Sequence, residues 1–290
     1  MDGERGPAPR TGYAQALQLP KEKRDRMISR GVHWALPRRL VQRRDLLREL
    51  VVRDMKLRYK RSYLGILWTL VNPLTQLSVF YFVFRVLFRV TVPNYTAYLF
   101  IGITCWNWFS TALLESTGAI LQNKSLIQQP GFPTAILPNV SVGSNMIHFL
   151  LTLPILLGLV SLSGIPITSA VAWLPLVILV QYGLMLSFAL LAACLHVNFR
   201  DTQYLLGIAL MLGFFLTPVL YEMSIVPERY RVFYMFNPMM HLIDAYRAIL
   251  IRGERPDLVR LAIVAAVSLV QLNLFYRYFR RASTNFVEEL

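Results

Sequence analysis

Between Lys124 and Arg200 the sequence holds no Lys, Arg, Asp or Glu. A water-soluble domain needs charged side chains on its solvated face, and those side chains are almost never fully buried unless paired. Lipid is therefore the simplest solvent for this stretch. Acidic residues are scarce throughout, 16 against 30 Lys and Arg. Cysteine is scarcer still: Cys105 and Cys194 both fall inside apolar runs, which argues against a disulfide framework and suits small packing residues. There is no GxxxxGK(S/T) phosphate loop, no GxGxxG turn, no HExxH pair and no Cys/His cluster with metal spacing. The chain thus carries no ATPase motif, and no metal or cofactor of its own is expected. His33, His148, His196 and His241 are scattered, as packing or hydrogen-bonding residues are.

What is present is apolar: 55% of residues are hydrophobic and the mean hydropathy is +0.46. A helix needs about 20 apolar residues to cross a hydrocarbon core roughly 30 Å thick. Six windows qualify, near Leu64–Leu87, Tyr95–Leu114, Leu137–Leu162, Val171–His196, Leu205–Tyr221 and Leu261–Phe279. Turn-rich pieces separate them, such as Pro130-Gly131-Phe132-Pro133 and Ser163-Gly164-Ile165-Pro166. The expectation is an all-α integral membrane protein of six transmembrane helices spanning residues 63–280.

An even number of spans puts both ends on one side, and basic residues select that side as cytoplasmic. Seventeen of the 30 Lys and Arg precede Ser62, Lys124 and Arg200 fall in inner loops, and Arg277, Arg280 and Arg281 close the last span. The net charge of +14 is thereby a matter of orientation and anionic headgroups rather than of nucleic acid. The first 30 residues are polar, so no cleavable signal peptide is expected. Residues 1–33 read as a flexible basic cytoplasmic tail and 281–290 as a cytoplasmic C-terminal tail. In residues 34–62, Leu40, Leu47, Val51, Met55 and Tyr59 recur mainly at helical spacing between arginines, the pattern of an amphipathic helix on the cytoplasmic leaflet. A solvated basic helix that only enforces topology is the alternative.

Candidate functional residues follow from this frame. Trp68, Phe80, Tyr81 and Phe84 crowd the first span, Trp106 and Trp108 the second, and Phe214, Phe215 and Tyr221 the fifth. Such rings either stack on sugar faces or form an interfacial aromatic belt. Arg85 and Glu115 lie near span ends, where they either serve function or snorkel to the interface. Asp244 and Arg247 stand three apart on an expected helix, where they can pair. Ala189 and Ala193, four apart, offer a small-residue face for packing a second copy. Asn72-Pro73 puts a residue without an amide hydrogen inside the first span, which bends a helix.

Several motifs in fixed order carry a family resemblance. They are Arg53-Asp54-Met55-Lys56-Leu57-Arg58-Tyr59-Lys60-Arg61-Ser62, Asn72-Pro73, Leu126-Ile127, Phe132-Pro133, Asn198-Phe199-Arg200-Asp201, Thr217-Pro218-Val219-Leu220-Tyr221, Asn237-Pro238 and Ala245-Tyr246-Arg247. In this order, from about Asp45 onward, the chain resembles the permease subunit of type-2 ABC exporters for polysaccharides, the class that moves O-antigen, capsule or teichoic acid chains. The resemblance implies a homodimer joined to two copies of an ATP-binding cassette subunit, with ATP and Mg bound on that partner. It implies that a lipid-linked polysaccharide arrives at an interfacial helix bearing Arg53, Lys56, Arg58, Tyr59, Lys60 and Arg61. A coupling loop over 115–136, with Ser125, Leu126, Ile127, Gln128 and Gln129, would seat in the ATPase. Short re-entrant gate helices in 222–257, with Tyr234, Phe236, Asn237, Pro238 and Met239, would cap the far side. The implied location is the cytoplasmic (inner) membrane of a prokaryote, within the machinery of lipopolysaccharide biosynthesis.

Two other classes stay open. One is a type-2 ABC permease for a drug or simple lipid; the other is a membrane-embedded glycan-modifying enzyme. The second needs carboxylates or histidines converging within the membrane, and residues 125–199 supply no carboxylate.

Overall fold

The computed structural model describes residues 43–60, 65–89, 92–129, 131–284 and 286–289. The expected tail 1–33 and Arg61 lie outside them. The chain divides into two compact units, Met1–Glu49 and Leu50–Leu290. Of the first, residues 43–49 are described and helical. Everything below concerns the second.

Every regular element in it is helical. Residues 50–59 form α1, followed by α2 (Trp68–Tyr81, extended by a π turn Phe82–Leu87), α3 (Tyr95–Gln122) and the four-residue α4 (Lys124–Ile127). Next come α5 (Ile136–Leu162), α6 (Leu174–Asn198, entered through the 3-10 turn Ser169–Trp173) and α7 (Thr202–Leu216). The chain ends with α8 (Glu228–Met235), α9 (Pro238–Arg247, extended by a π turn Ala248–Arg252), α10 (Leu258–Ala282) and α11 (Phe286–Glu289).

Among the described residues, five helices are long and apolar enough to cross a membrane: α2 with its π turn, α3, α5, α6 with its 3-10 turn, and α10. The window predicted as a fifth span instead folds as α7, 15 residues long. At ~1.5 Å per residue that is about 22 Å. It stops at Leu216 because Pro218 cannot continue it, and the chain runs on to Tyr221 without helix. The second span is longer than its hydropathy window suggested, so Glu115 lies inside α3 and not in a loop.

The core forms where α3, α5, α6, α9 and α10 meet. Ala189 and Ala193 are fully buried there inside the chain's own bundle, where α6 packs against α3 and α10. They are therefore not an outward face for a second copy; small side chains here let the chain's own helices approach closely. Cys105 and Cys194 are free and buried, as packing residues are.

The irregular stretch after α7 is held by a set of converging donors. Arg247 is 5% exposed and stands on α9. Its Nη1 donates to the Pro218 carbonyl at 2.8 Å, and its Nη2 to the carbonyls of Val219 at 2.8 Å and Tyr98 at 3.3 Å. The guanidinium carbon lies 3.4 Å from the centre of the Tyr98 ring. The next two carbonyls are taken by hydroxyls of α3: Tyr95 donates to Leu220 at 2.8 Å and Tyr98 to Tyr221 at 2.7 Å. Four successive carbonyls are thus satisfied by side chains, which is what non-helical backbone needs away from water. Gly102 makes the fit possible, since a Cβ there would stand 2.9 Å from both Arg247 Nη2 and the Val219 carbonyl oxygen.

The expected Asp244–Arg247 pair does not form. Asp244 pairs instead with Arg252 at 3.1 Å, because the burial of α9 turns Arg247 inward to the carbonyls and leaves Asp244 on the open side. Asn237 completes the arrangement: its side-chain oxygen caps α9 by accepting from the Met239 amide at 3.0 Å, and its amide donates to Thr217 Oγ1 at 2.8 Å. Pro238, at the first position of α9, needs no amide partner.

Removal of the Arg247 side chain strands these carbonyls, and hydrogen bonds to a buried charge are worth ~1.5–3 kcal/mol each. Arg247→Ala should lower the stability of the detergent-solubilised protein by about 3 kcal/mol or more in thermal unfolding. Arg252→Ala, which breaks only a part-exposed pair, should cost about 1 kcal/mol or less. Equal melting of the two variants would show that the carbonyl set is not what holds this region.

Candidate functional site

Three apolar helices each turn a polar face toward one cavity of about 400 Å³. On α3 the lining residues are Thr104, Asn107, Trp108 and Thr111. On α5 they are Asn145, His148, Phe149 and Thr152. Spacings of three and four put each set on one helix face. From α2 come Trp68, Thr69, Asn72 and Pro73, and from the end of α1 Arg58 and Tyr59. The Asn107 amide donates to Gln76 Oε1 on α2 at 2.9 Å, joining α2 to α3. Trp108 stacks on Phe149 with ring centres 4.6 Å apart.

At one end a polar network fastens α1 to α3 and α5. Arg58 donates to both carboxylate oxygens of Glu115, at 2.6 and 2.8 Å, and pairs with Asp54 at 3.1 Å. Asn145 donates to the same Glu115 carboxylate. Tyr59 shares a hydrogen bond with His148 Nδ1 at 3.0 Å, and Arg53 donates to Asn123 at 3.1 Å. Desolvation pulls the Arg58 pKa down, but the hydrogen bonds and charges of Glu115 and Asp54 outweigh it and hold the guanidinium above its ordinary value. Burial, opposed by the Arg58 charge, raises the Tyr59 phenol, which stays protonated at neutral pH. Leu50, Val51, Met55 and Tyr59 are the covered side of α1, whereas Lys56 and Lys60 are exposed.

The aromatic residues singled out by sequence do not form one surface. Phe80 stacks on Phe214 at 5.8 Å, Phe214 meets Trp106 at 6.1 Å and Phe215 at 5.3 Å, and Phe80 meets Phe84 at 6.4 Å. This cluster joins α2, α3 and α7. Gly213 admits it, since a Cβ there would stand 3.0 Å from the Trp106 ring. Trp68 and Trp108 lie apart from it, on the polar cavity. Tyr81 is exposed, and Tyr221 shares a hydrogen bond with Tyr234 at 3.1 Å, between the broken stretch and α8.

On α4, Ser125 is exposed, Leu126 half-buried and Ile127 5% exposed; Gln128 and Gln129, which follow it, are exposed. Ile127 is therefore an anchor, and Ser125, Gln128 and Gln129 are the open positions of the expected coupling set. In the segment expected to be the gate, Met239 is buried, Asn237 and Pro238 start α9, and Phe236 projects from the end of α8 at 81% exposure. Val232, Phe233 and Met235 on α8 are exposed as well, an apolar face turned outward.

Sequence reasoning missed the cavity. Its signal was present as polar residues recurring on one face of otherwise apolar windows, Thr104-Asn107-Thr111-Glu115 on α3 and Asn145-His148-Thr152 on α5. Glu115, weighed as a snorkelling residue, is the hub that receives Arg58 and Asn145.

A model of the ABC-2 type transporter family matches residues 45–251, from helical residues before α1 through the Arg247 carbonyl site. The chain belongs to the ABC-2 type transporter family. It is 36% identical over 257 residues to the O-antigen export system permease protein RfbA of Myxococcus xanthus, covering 88% of this chain and 99% of that protein. To RfbA of Klebsiella pneumoniae it is 31% identical over 210 residues, 72% of this chain and 81% of that protein. To the polysialic acid transport protein KpsM of Escherichia coli it is 23% identical over 240 residues, 80% and 91% of the two chains. As an ABC-2 transporter chain it is a membrane permease subunit, and its apolar helices are the transmembrane part.

A double-mutant cycle tests the α1 tether of this ABC-2 chain. Arg58→Met and Glu115→Gln should each destabilise, and the double variant should lose less than the two together, with a coupling of about 0.5–3 kcal/mol. Additive losses in thermal unfolding would mean the pair is incidental.

Proposed function

We propose that this chain is the channel-forming subunit of an ABC transporter that exports a lipid-linked polysaccharide such as O-antigen across the cytoplasmic membrane. The observation that carries the reading is the likeness to the Myxococcus xanthus O-antigen export permease over 99% of that protein's length. A long glycan passing among helices needs polar groups without fixed charge. The cavity residues on α2, α3 and α5 fit that need.

The chain has no phosphate loop, so energy comes from ATP and Mg on a separate ATP-binding cassette subunit. Two copies of each subunit assemble, with the route between the permeases. The basic bias of the N-terminal region supports both termini on the cytoplasmic side, with α1 lying in the interface there. We read α7 with the Thr217–Tyr221 stretch as the sixth crossing: the helix alone falls short of ~30 Å, and the stretch beyond it is packed in protein, where irregular backbone is tolerated. The α8–α9 pair is then the outer gate, with Tyr234, Phe236, Asn237, Pro238 and Met239 at its turn. Within the coupling loop expected over 115–136, α3 runs to Gln122, and the exposed Ser125, Gln128 and Gln129 beyond it meet the ATPase. Arg53, Lys56 and Lys60 line the approach of an anionic lipid carrier. Of the expected aromatic set, Trp68, Tyr81 and Phe215 are exposed and are the rings we assign to contact with passing sugars.

Depleting the chain should remove the long glycan from the cell surface while its lipid-linked precursor accumulates inside. An unchanged surface glycan would leave a drug or a simple lipid as cargo. Ser125→Asp with Gln128→Asp should abolish export at unchanged protein abundance, whereas Ile127→Asp, at an anchoring position, should lower abundance itself. Export that survives the first variant would remove α4 from the coupling role. Trp68→Ala with Tyr81→Ala should slow export severalfold, and normal export there would sink the aromatic path.

A further inference from the structure

Two residues on the cavity wall carry buried polar atoms without partners. Thr104 is 4% exposed and Trp108 3%, both line the cavity, and neither Thr104 Oγ1 nor Trp108 Nε1 has a hydrogen-bond partner. A buried donor or hydroxyl left unsatisfied costs about 1–3 kcal/mol, but packing seals these two atoms, so the groups that can meet a ligand are the more open amides and hydroxyls of the lining. Asn72 and Thr111 are exposed on the same walls and Asn107 is half-buried. Amides and hydroxyls both donate and accept, which matches a ligand carrying many hydroxyl groups.

Charge narrows the class. Among the described residues Arg58 is the one Lys or Arg on the lining, and Asp54 and Glu115 already hold it, two carboxylates against one cation. Among the described residues an anion meets no uncompensated positive charge there. A hydrocarbon tail would leave amides and hydroxyls desolvated without partners. Trp68 and Trp108 add flat apolar faces of the kind that pack on the C–H side of a pyranose ring. The volume, about 400 Å³, lies in the ~300–1,000 Å³ range of small-molecule sites.

We propose that the cleft between α2, α3 and α5 is a binding site for an uncharged mono- or disaccharide unit of the exported chain. The proposal rests on the exporter reading. The site holds sugar within a single permease, and the phosphate of the lipid carrier stays outside it.

Two experiments decide it. A photo-reactive p-benzoylphenylalanine is placed at Asn107 or, separately, at Thr111 in cells, with Leu269, exposed on α10, as control. Irradiation should give an adduct bearing the cell's own glycan at 107 or 111 and none at 269. An adduct with lipid alone, or no adduct while glycan still reaches the surface, overturns the proposal. The full chain in lipid nanodiscs is then titrated with maltose and with inorganic pyrophosphate, following tryptophan fluorescence. Maltose should saturate, about tenfold more weakly in Asn72→Leu with Thr111→Val, the effect of losing one or two hydrogen bonds. Saturation by pyrophosphate alone, or by neither, overturns the proposal. If depleting the chain leaves surface glycan intact, the exporter reading fails, and the maltose titration still decides whether the cleft takes sugar.

Discussion

Backbone carbonyls without helical partners cannot be left bare among apolar helices, and the structure is arranged around that constraint. The chain breaks at Thr217-Pro218 after a helix of only 15 residues, and four successive carbonyls from Pro218 to Tyr221 turn to side chains for their bonds. Arg247 supplies two of those bonds, and the hydroxyls of Tyr95 and Tyr98 supply the others. A buried guanidinium without a carboxylate is costly in isolation, and here carbonyl dipoles and the Tyr98 ring stand in for the counter-ion. The end of α7, the start of α3 and the length of α9 are locked in one arrangement as a result. Gly102 is the position where that arrangement leaves no room for a Cβ.

The opposite pole is held by a different chemistry. Arg58 and Glu115 form a charged pair with bonds to both carboxylate oxygens, and Tyr59 with His148 adds a neutral one, so α1 is fixed to α3 and α5 at several points. Between the two poles, polar faces on apolar helices enclose a cleft instead of meeting lipid. These parts relate in one mechanical frame: a force on the short α4 reaches α3 through Asn123, which Arg53 of α1 also grips.

Much of this was legible beforehand where it depended on composition. The charge-free run gave the apolar helices, the Pro and Gly clusters gave the breaks, and the order of motifs gave the family. The functional grouping of residues was less legible. Trp106 and Trp108 are two apart and looked equivalent, yet a helix sends such neighbours to different faces, one to the Phe80–Phe214 cluster and the other to the cavity. Asp244 and Arg247 had the spacing of a pair, but spacing says nothing of which face is buried. Ala189 and Ala193 signalled a close helix contact correctly and its partner wrongly.

The sequence by itself determined that the chain lives in a membrane, that it is helical, and which family it joins. Each of these follows from what residues are, their polarity, their hydrogen-bonding capacity and their order, all of which exist before folding. Only the tertiary structure decided that Arg247 serves carbonyls more than a hundred residues apart in sequence, from Tyr98 to Val219, and that Glu115 receives Arg58. Only it decided that three separate polar faces surround one cavity. Those are statements about which helix faces which, and that is fixed by the joint packing of all the helices, a quantity no single stretch of sequence contains.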